Sequence, residues 1–270
     1  VKDESKKEVT LNYDRQEIYC QLSGQGEELL IVFPGYGSTV DFYGPALPLL
    51  TRKFTTWIID LPLHGKTMWN KSMFTINDFT EIIQLILQRT GHSRFSLLGH
   101  SFGGRAVLTQ VPFFGKQLDQ VLLLAPDGIK NPGLMTVSWI PGWFRRITGG
   151  WVDHSHRLLP FAAWLKRREW MAPGAYAFAE FYLKTKARRQ QVKMYWLSLA
   201  DFQVDLSSVK DAIRTHQIST TIFIGKKDKI IPTDVGAILS TGIEPWVEVI
   251  KTQTGHSMRG GSVLELIEMG

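Results

Sequence analysis

The chain has 270 residues, 44% of them hydrophobic and 21% charged, with a net charge of +6. This length and balance exclude a long disordered polymer and allow a large core without cross-links. Cys20 is the single cysteine, which excludes an internal disulfide framework and a cysteine-built metal site. No apolar run reaches the roughly 18 residues that span a bilayer.

The opening segments read as a hairpin, residues 9–13 and 17–22, with Asp14-Arg15 as its turn. Six short apolar runs follow, at residues 29–33, 54–59, 95–98, 121–124, 220–224 and 246–250. Most do not alternate, and unbroken apolar strands are buried on both faces, as in a parallel sheet covered by helices. Residues 75–90 carry Ile76, Phe79, Ile82, Ile83, Ile86 and Leu87 at helical spacing, with Thr75 as cap and Gly91 after the end. A second helix is expected over residues 102–110, stopping before Pro112, and a last one over 263–268. The pattern is an α/β fold with a mostly parallel central sheet flanked by helices.

Residues 129–200 show no clear strand. They hold six of the nine tryptophans, and residues 131–200 carry eleven Lys and Arg against three Asp and Glu. The expected organisation is a core of residues 1–128 and 202–270 with a helical cap inserted at 129–201. The local basic charge suits an anionic substrate, a membrane surface or nucleic acid, and it suits a plain solvated face equally well. The lone cysteine fits a reducing, cytoplasmic location, with an already removed export leader as the alternative.

Gly99-His100-Ser101-Phe102-Gly103 fits G-x-S-x-G, and it stands between an apolar strand and a helix. That placement is what a nucleophile elbow requires. A tight turn exposes the serine hydroxyl, and flanking glycines avoid collision with the neighbouring strand and helix. With these residues the chain resembles the α/β-hydrolase superfamily over nearly its whole length.

The resemblance implies the remaining site. Phe33-Pro34-Gly35-Tyr36-Gly37 resembles the oxyanion loop, with Pro34 in place of the usual histidine, and implies the backbone N–H groups of Tyr36 and Phe102 as donors. Asp60-Leu61-Pro62-Leu63-His64-Gly65 resembles the D-x-P-G-H-G turn, with Leu63 where glycine is usual, and implies a structural role. Gly225 to Pro232 resembles G-x-x-D-x-x-x-P and implies Asp228 as the catalytic acid. Asp127, Asp201 and Asp205 are the rivals. His256, after the last apolar run, is the only histidine beyond Asp228 and completes the order Ser101, Asp228, His256. His100 is expected to line the pocket.

The implied activity is hydrolysis of a carboxylic ester or related acyl bond of a small molecule, through an acyl-enzyme and without a metal or organic cofactor. Ser101 to Arg105 also resembles the S-x-G-G-R of menaquinone-pathway synthases in the same superfamily. That implies Arg105 as a binder of an anionic substrate and lyase chemistry as the alternative. A non-catalytic binding protein on the same fold is a further reading. Nucleic-acid binding lacks a recognisable motif and is not expected, and a membrane met through the basic aromatic insertion is a possible partner but not the favoured one.

Overall fold

The computed structural model describes residues 6–43, 47–130, 142–171, 173–199 and 202–258. The helix expected at 263–268 lies outside them. The described chain divides into two compact units: Val1–Asn70, Ile76–Pro132 and Gln203–Gly270 form the first, Lys71–Thr75 and Gly133–Phe202 the second.

The first unit is built on one sheet. Its strands are β1 (Lys6–Tyr13), β2 (Gln16–Ser23), β3 (Glu28–Phe33), β4 (Phe54–Ile59), β5 (Phe95–His100), β6 (Leu118–Leu124), β7 (Ser219–Gly225) and β8 (Val247–Thr252). They lie in the order β1-β2-β4-β3-β5-β6-β7-β8. β1 and β2 form the antiparallel hairpin, and Asp14 and Arg15 both take positive φ, as a two-residue turn matching strand twist demands. β2 joins β4 antiparallel, and every pairing from β4 through β3 to β8 is parallel. Several strands extend beyond their apolar runs because the hydrogen-bond ladder continues through polar residues such as Gln120 and Lys251.

The interior is a parallel-sheet interior. All six residues of β5 are buried, and Leu30, Ile31, Val32 and Phe33 of β3 are fully enclosed. Helix α1 (Leu47–Lys53) precedes β4. Helix α2 (Ile76–Thr90) buries Phe79, Ile82, Ile83, Ile86 and Leu87, the periodic face read from sequence. Each such side chain contributes about 1.5–3 kcal/mol. The Gly91 N–H bonds the Leu87 carbonyl, and Gly91 has φ +74°, a left-handed stop. Cys20 is buried on β2, where burial pushes its thiol pKa up.

Helix α3 (Phe102–Phe114) runs through Pro112 rather than stopping before it. An interior proline forfeits a backbone hydrogen bond and costs about 3 kcal/mol. Burial of Val111 and Phe114 on the same face offsets that cost. Buried Gln110 ties α3 to α2: it accepts from the Thr80 hydroxyl at 2.8 Å and donates to the Ile76 carbonyl at 3.2 Å.

The second unit is helical in its described residues: α4 (Gly142–His154), α5 (Leu159–Arg167), α6 (Pro173–Leu183) and α7 (Lys186–Ser198). α4 packs on α7, and α6 packs on both α5 and α7. Phe74 packs edge-on against Tyr195 and Phe202, and its N–H donates to the Ser198 hydroxyl at 2.9 Å. The chain then returns to the first unit through α8 (Leu206–His216) and α9 (Val235–Ser240). Among the described residues no helix is long and apolar enough to cross a membrane.

Candidate active site

Strand order places the site. β3 has β4 on one side and β5 on the other, so the winding direction reverses between them. In an open α/β sheet the carboxyl ends of the strands at such a reversal are the usual ligand position.

Ser101 stands at the end of β5 with φ +52° and ψ −116°. Such a conformation costs a non-glycine residue roughly 1–3 kcal/mol. Its backbone is clamped accordingly: the N–H donates to the Leu124 carbonyl at 2.9 Å, and the carbonyl accepts from the N–H groups of Arg105 and Asp127. The glycines around it are steric requirements. A Cβ on Gly99 would lie 2.4 Å from the Gly103 carbonyl oxygen, one on Gly103 1.9 Å from the Phe33 oxygen, and one on Gly104 2.7 Å from Pro126.

Three loops then converge. The Ser101 hydroxyl lies 2.9 Å from His256 Nε2, and His256 Nδ1 lies 2.9 Å from Asp228 Oδ2. An ionised carboxylate can only accept, so the proton sits on Nδ1 and Nε2 faces the serine as an acceptor. The Asp228 side chain is 1% exposed, and its Oδ1 accepts from the N–H groups of Ile230 and Ile231 at 2.7 and 3.0 Å. Those two amides were not singled out in the sequence. Their signal is the tendency of aspartate to fold the next residues into a turn.

The rival acids are occupied elsewhere. Asp205 caps α8, accepting from the N–H groups of Ser207 and Ser208, and the Ser208 hydroxyl bond lowers its pKa. Asp127 accepts from the Gly128 N–H and pairs with Arg105. Asp201 lies outside the described residues.

Gly35 borders the serine: a Cβ there would meet His100 Nδ1 at 2.8 Å and Ser101 Cβ at 3.2 Å. Gly35 to Ser38 forms a tight turn closed by the Ser38 N–H on the Gly35 carbonyl, with Gly37 at φ +79°. Tyr36, one of the two expected oxyanion donors, occupies its second position. Phe102, the other, begins α3, where the helix dipole favours negative charge.

The Asp60–Gly65 turn braces this loop. The Gly37 N–H donates to His64 Nε2 at 2.8 Å, so the His64 proton sits on Nδ1, which donates to the Pro62 carbonyl at 2.9 Å. Burial holds His64 neutral, its pKa pushed down to about 4. Asp60 accepts from the N–H groups of Val40 and Lys66, and burial raises its pKa. A Cβ on Gly65 would overlap the Asp60 carboxylate, and Leu63, standing where glycine was expected, takes φ +57°.

His100 is 4% exposed. Its Nε2–H donates to the His256 carbonyl at 2.8 Å, and its ring stacks on Phe42 at 5.0 Å. Arg105 is also 4% exposed and pairs with Asp127 at 2.9 Å. The two residues read from sequence as substrate binders are thus both buried, one against the His256 loop and the other against a carboxylate.

Among the described residues, no group of three or more His, Cys, Asp and Glu is placed to hold a metal ion.

Comparison with known proteins agrees with this architecture. The chain is 20% identical over 250 residues to the uncharacterized hydrolase YugF of Bacillus subtilis, covering 88% of this chain and 86% of that protein. An alpha/beta hydrolase enzyme from a Medee basin deep-sea metagenome library superposes with a TM-score of 0.69 at 13% identity, over 96% of this chain and 94% of that one. The thioesterase domain from the curacin biosynthetic pathway superposes with a TM-score of 0.68 at 12% identity, over 97% and 99%. The model of the Alpha/beta hydrolase family matches residues 29–261, and the chain belongs to that family.

Proposed function

We propose that the protein is a serine hydrolase that cleaves a carboxylic ester or related acyl bond through an acyl-enzyme. The observation that carries this reading is the continuous hydrogen-bond chain from the Ser101 hydroxyl through His256 to the buried Asp228. Membership of the family, a relative described as a hydrolase and a thioesterase domain of the same fold support it.

In this mechanism His256 Nε2 takes the hydroxyl proton as Ser101 Oγ attacks the acyl carbon. Asp228 holds the imidazole by Nδ1 and offsets the positive charge that develops. The N–H groups of Tyr36 and Phe102 stabilise the oxyanion, at about 3 kcal/mol for each donor in comparable sites. The proton passes to the leaving group, leaving an ester on Ser101. Water, deprotonated by His256, then releases the acid and restores the hydroxyl. His100 and His64 act as positioning residues in this scheme. The first restrains the main chain of His256, the second the turn that carries Tyr36.

A fluorophosphonate probe and a chain-length series of p-nitrophenyl acyl esters test the proposal beside Ser101→Ala. Labelling and turnover are expected in the wild type and absent from the variant. A folded wild-type protein that neither labels nor turns over any ester would overturn the reading, and a binding protein would replace it.

A further inference from the structure

The second unit exposes aromatic side chains that its own packing does not use. Phe161 is 58% exposed, Trp164 40% and Trp170 71%. They form one cluster rather than scattered residues. The Phe161 and Trp164 rings lie nearly parallel at 5.8 Å, and Trp170 meets Trp164 edge-on at 5.5 Å. Leu158, one turn before Phe161, is 61% exposed. Together they present an apolar patch on the order of 400 Å², the size at which an exposed patch on a single chain is commonly functional.

The cluster is built into the backbone. α5 ends with the Glu169 N–H on the Lys166 carbonyl and the Trp170 N–H on the Leu165 carbonyl, with Glu169 at φ +60°. That paired closure folds the chain back and holds Trp170 against Trp164. The same segment carries the charge. Arg157, Lys166, Arg167 and Arg168 are exposed, Arg168 lies over the Trp164 ring, and Glu169 is the only acid between residues 154 and 179.

From this combination we infer that the α5 end of the second unit docks on an anionic lipid bilayer surface. Tryptophan and phenylalanine partition to the depth of the headgroups, and the flanking basic side chains meet lipid phosphates. α5 has nine residues, far too few to span, so the contact is interfacial. A second copy of the chain fits less well, since a stable dimer needs about 800 Å² from each partner. Single-stranded nucleic acid would stack bases on open ring faces, and Trp164 already carries Phe161 and Arg168 on its ring. The inference does not depend on the catalytic reading.

The test is cosedimentation of the full chain with phosphatidylcholine vesicles, with and without phosphatidylglycerol. Binding is expected only with phosphatidylglycerol present, and it weakens as salt is added. Each basic residue near such a surface is worth about fivefold in affinity. Arg157→Glu/Arg167→Glu should therefore bind at least about tenfold more weakly, and so should Phe161→Ser/Trp170→Ser. Both pairs are exposed, and circular dichroism checks that they fold. Ser101→Ala should bind like the wild type. Absent binding at low salt, or folded variants that bind like the wild type, would overturn the inference. So would tighter binding to a single-stranded oligonucleotide than to anionic vesicles, lost in the same variants.

Discussion

The elbow and helix α4 use the same residue type under opposite constraints. Around Ser101 each glycine is dictated by a neighbour: a Cβ at Gly99, Gly103 or Gly104 would meet other atoms at 1.9–2.7 Å. In α4, a Cβ on Gly149 would make ordinary contact with Leu197 at 3.4 Å, and one on Gly150 would meet nothing. The polar groups differ in the same way. In the candidate site Asp228 is enclosed and matched by two amides and a histidine. Along α5 the polar groups are exposed basic side chains beside exposed rings. A region that must hold three side chains in register surrenders freedom at every position, and a surface helix does not.

Substitutions can break or sharpen this contrast. The largest effect is expected from Asp228→Asn, which keeps the shape but presents the imidazole with an amide. Ester turnover should fall by about 10⁴-fold with the fold intact, and a loss below tenfold would show that His256 does not depend on this carboxylate. Gly103→Ala comes next. Its methyl group would press on the Phe33 carbonyl, so urea unfolding should show a loss of about 3 kcal/mol or more. Tolerance there would erase the distinction between the two sets of glycines.

His64 sharpens the contrast through pH. Its folded pKa of about 4 lies below the ordinary 6.5, so the unfolded chain binds the extra proton first. Its contribution to stability is complete above pH 6.5 and is lost as pH falls toward 4, by about 3 kcal/mol in all. Urea midpoints of the wild type should fall through that window, and those of His64→Asn should fall less steeply. Parallel slopes would mean that the Gly35–Ser38 turn is not braced by a neutral imidazole. The smallest effect is expected in α4: Gly150→Ala should raise stability by about 0.5–1 kcal/mol, as alanine does in an open helix interior.

Much of the molecule was legible in the chain. Unbroken apolar runs marked the buried parallel strands, because a strand covered on both faces has no polar side to show. The spacing from Ile76 to Leu87 marked α2 through its buried stripe. G-x-S-x-G between a strand and a helix marked the elbow because only glycine fits its approaches. Other features escaped that reading. Pro112 inside α3 contradicts the expected stop, and burial of the turn beyond it supplies the reason. α9 has six residues and was not anticipated, nor was α8, although its Asp205 cap and the spacing of Val209 and Ile213 are local signals.

Composition and periodicity thus determined the central strands and the α2 helix, because burial selects side chains locally and leaves a pattern behind. Tertiary structure alone decided the partners. Arg105 meets Asp127 across the loop after β6, His100 reaches the carbonyl of a residue 156 positions away, and His64 supports a turn 27 positions before it. Such pairings depend on strand order and on the reversal of winding at β3 and β5. A one-dimensional pattern records what a side chain is and how it repeats, and the sheet determines what it faces.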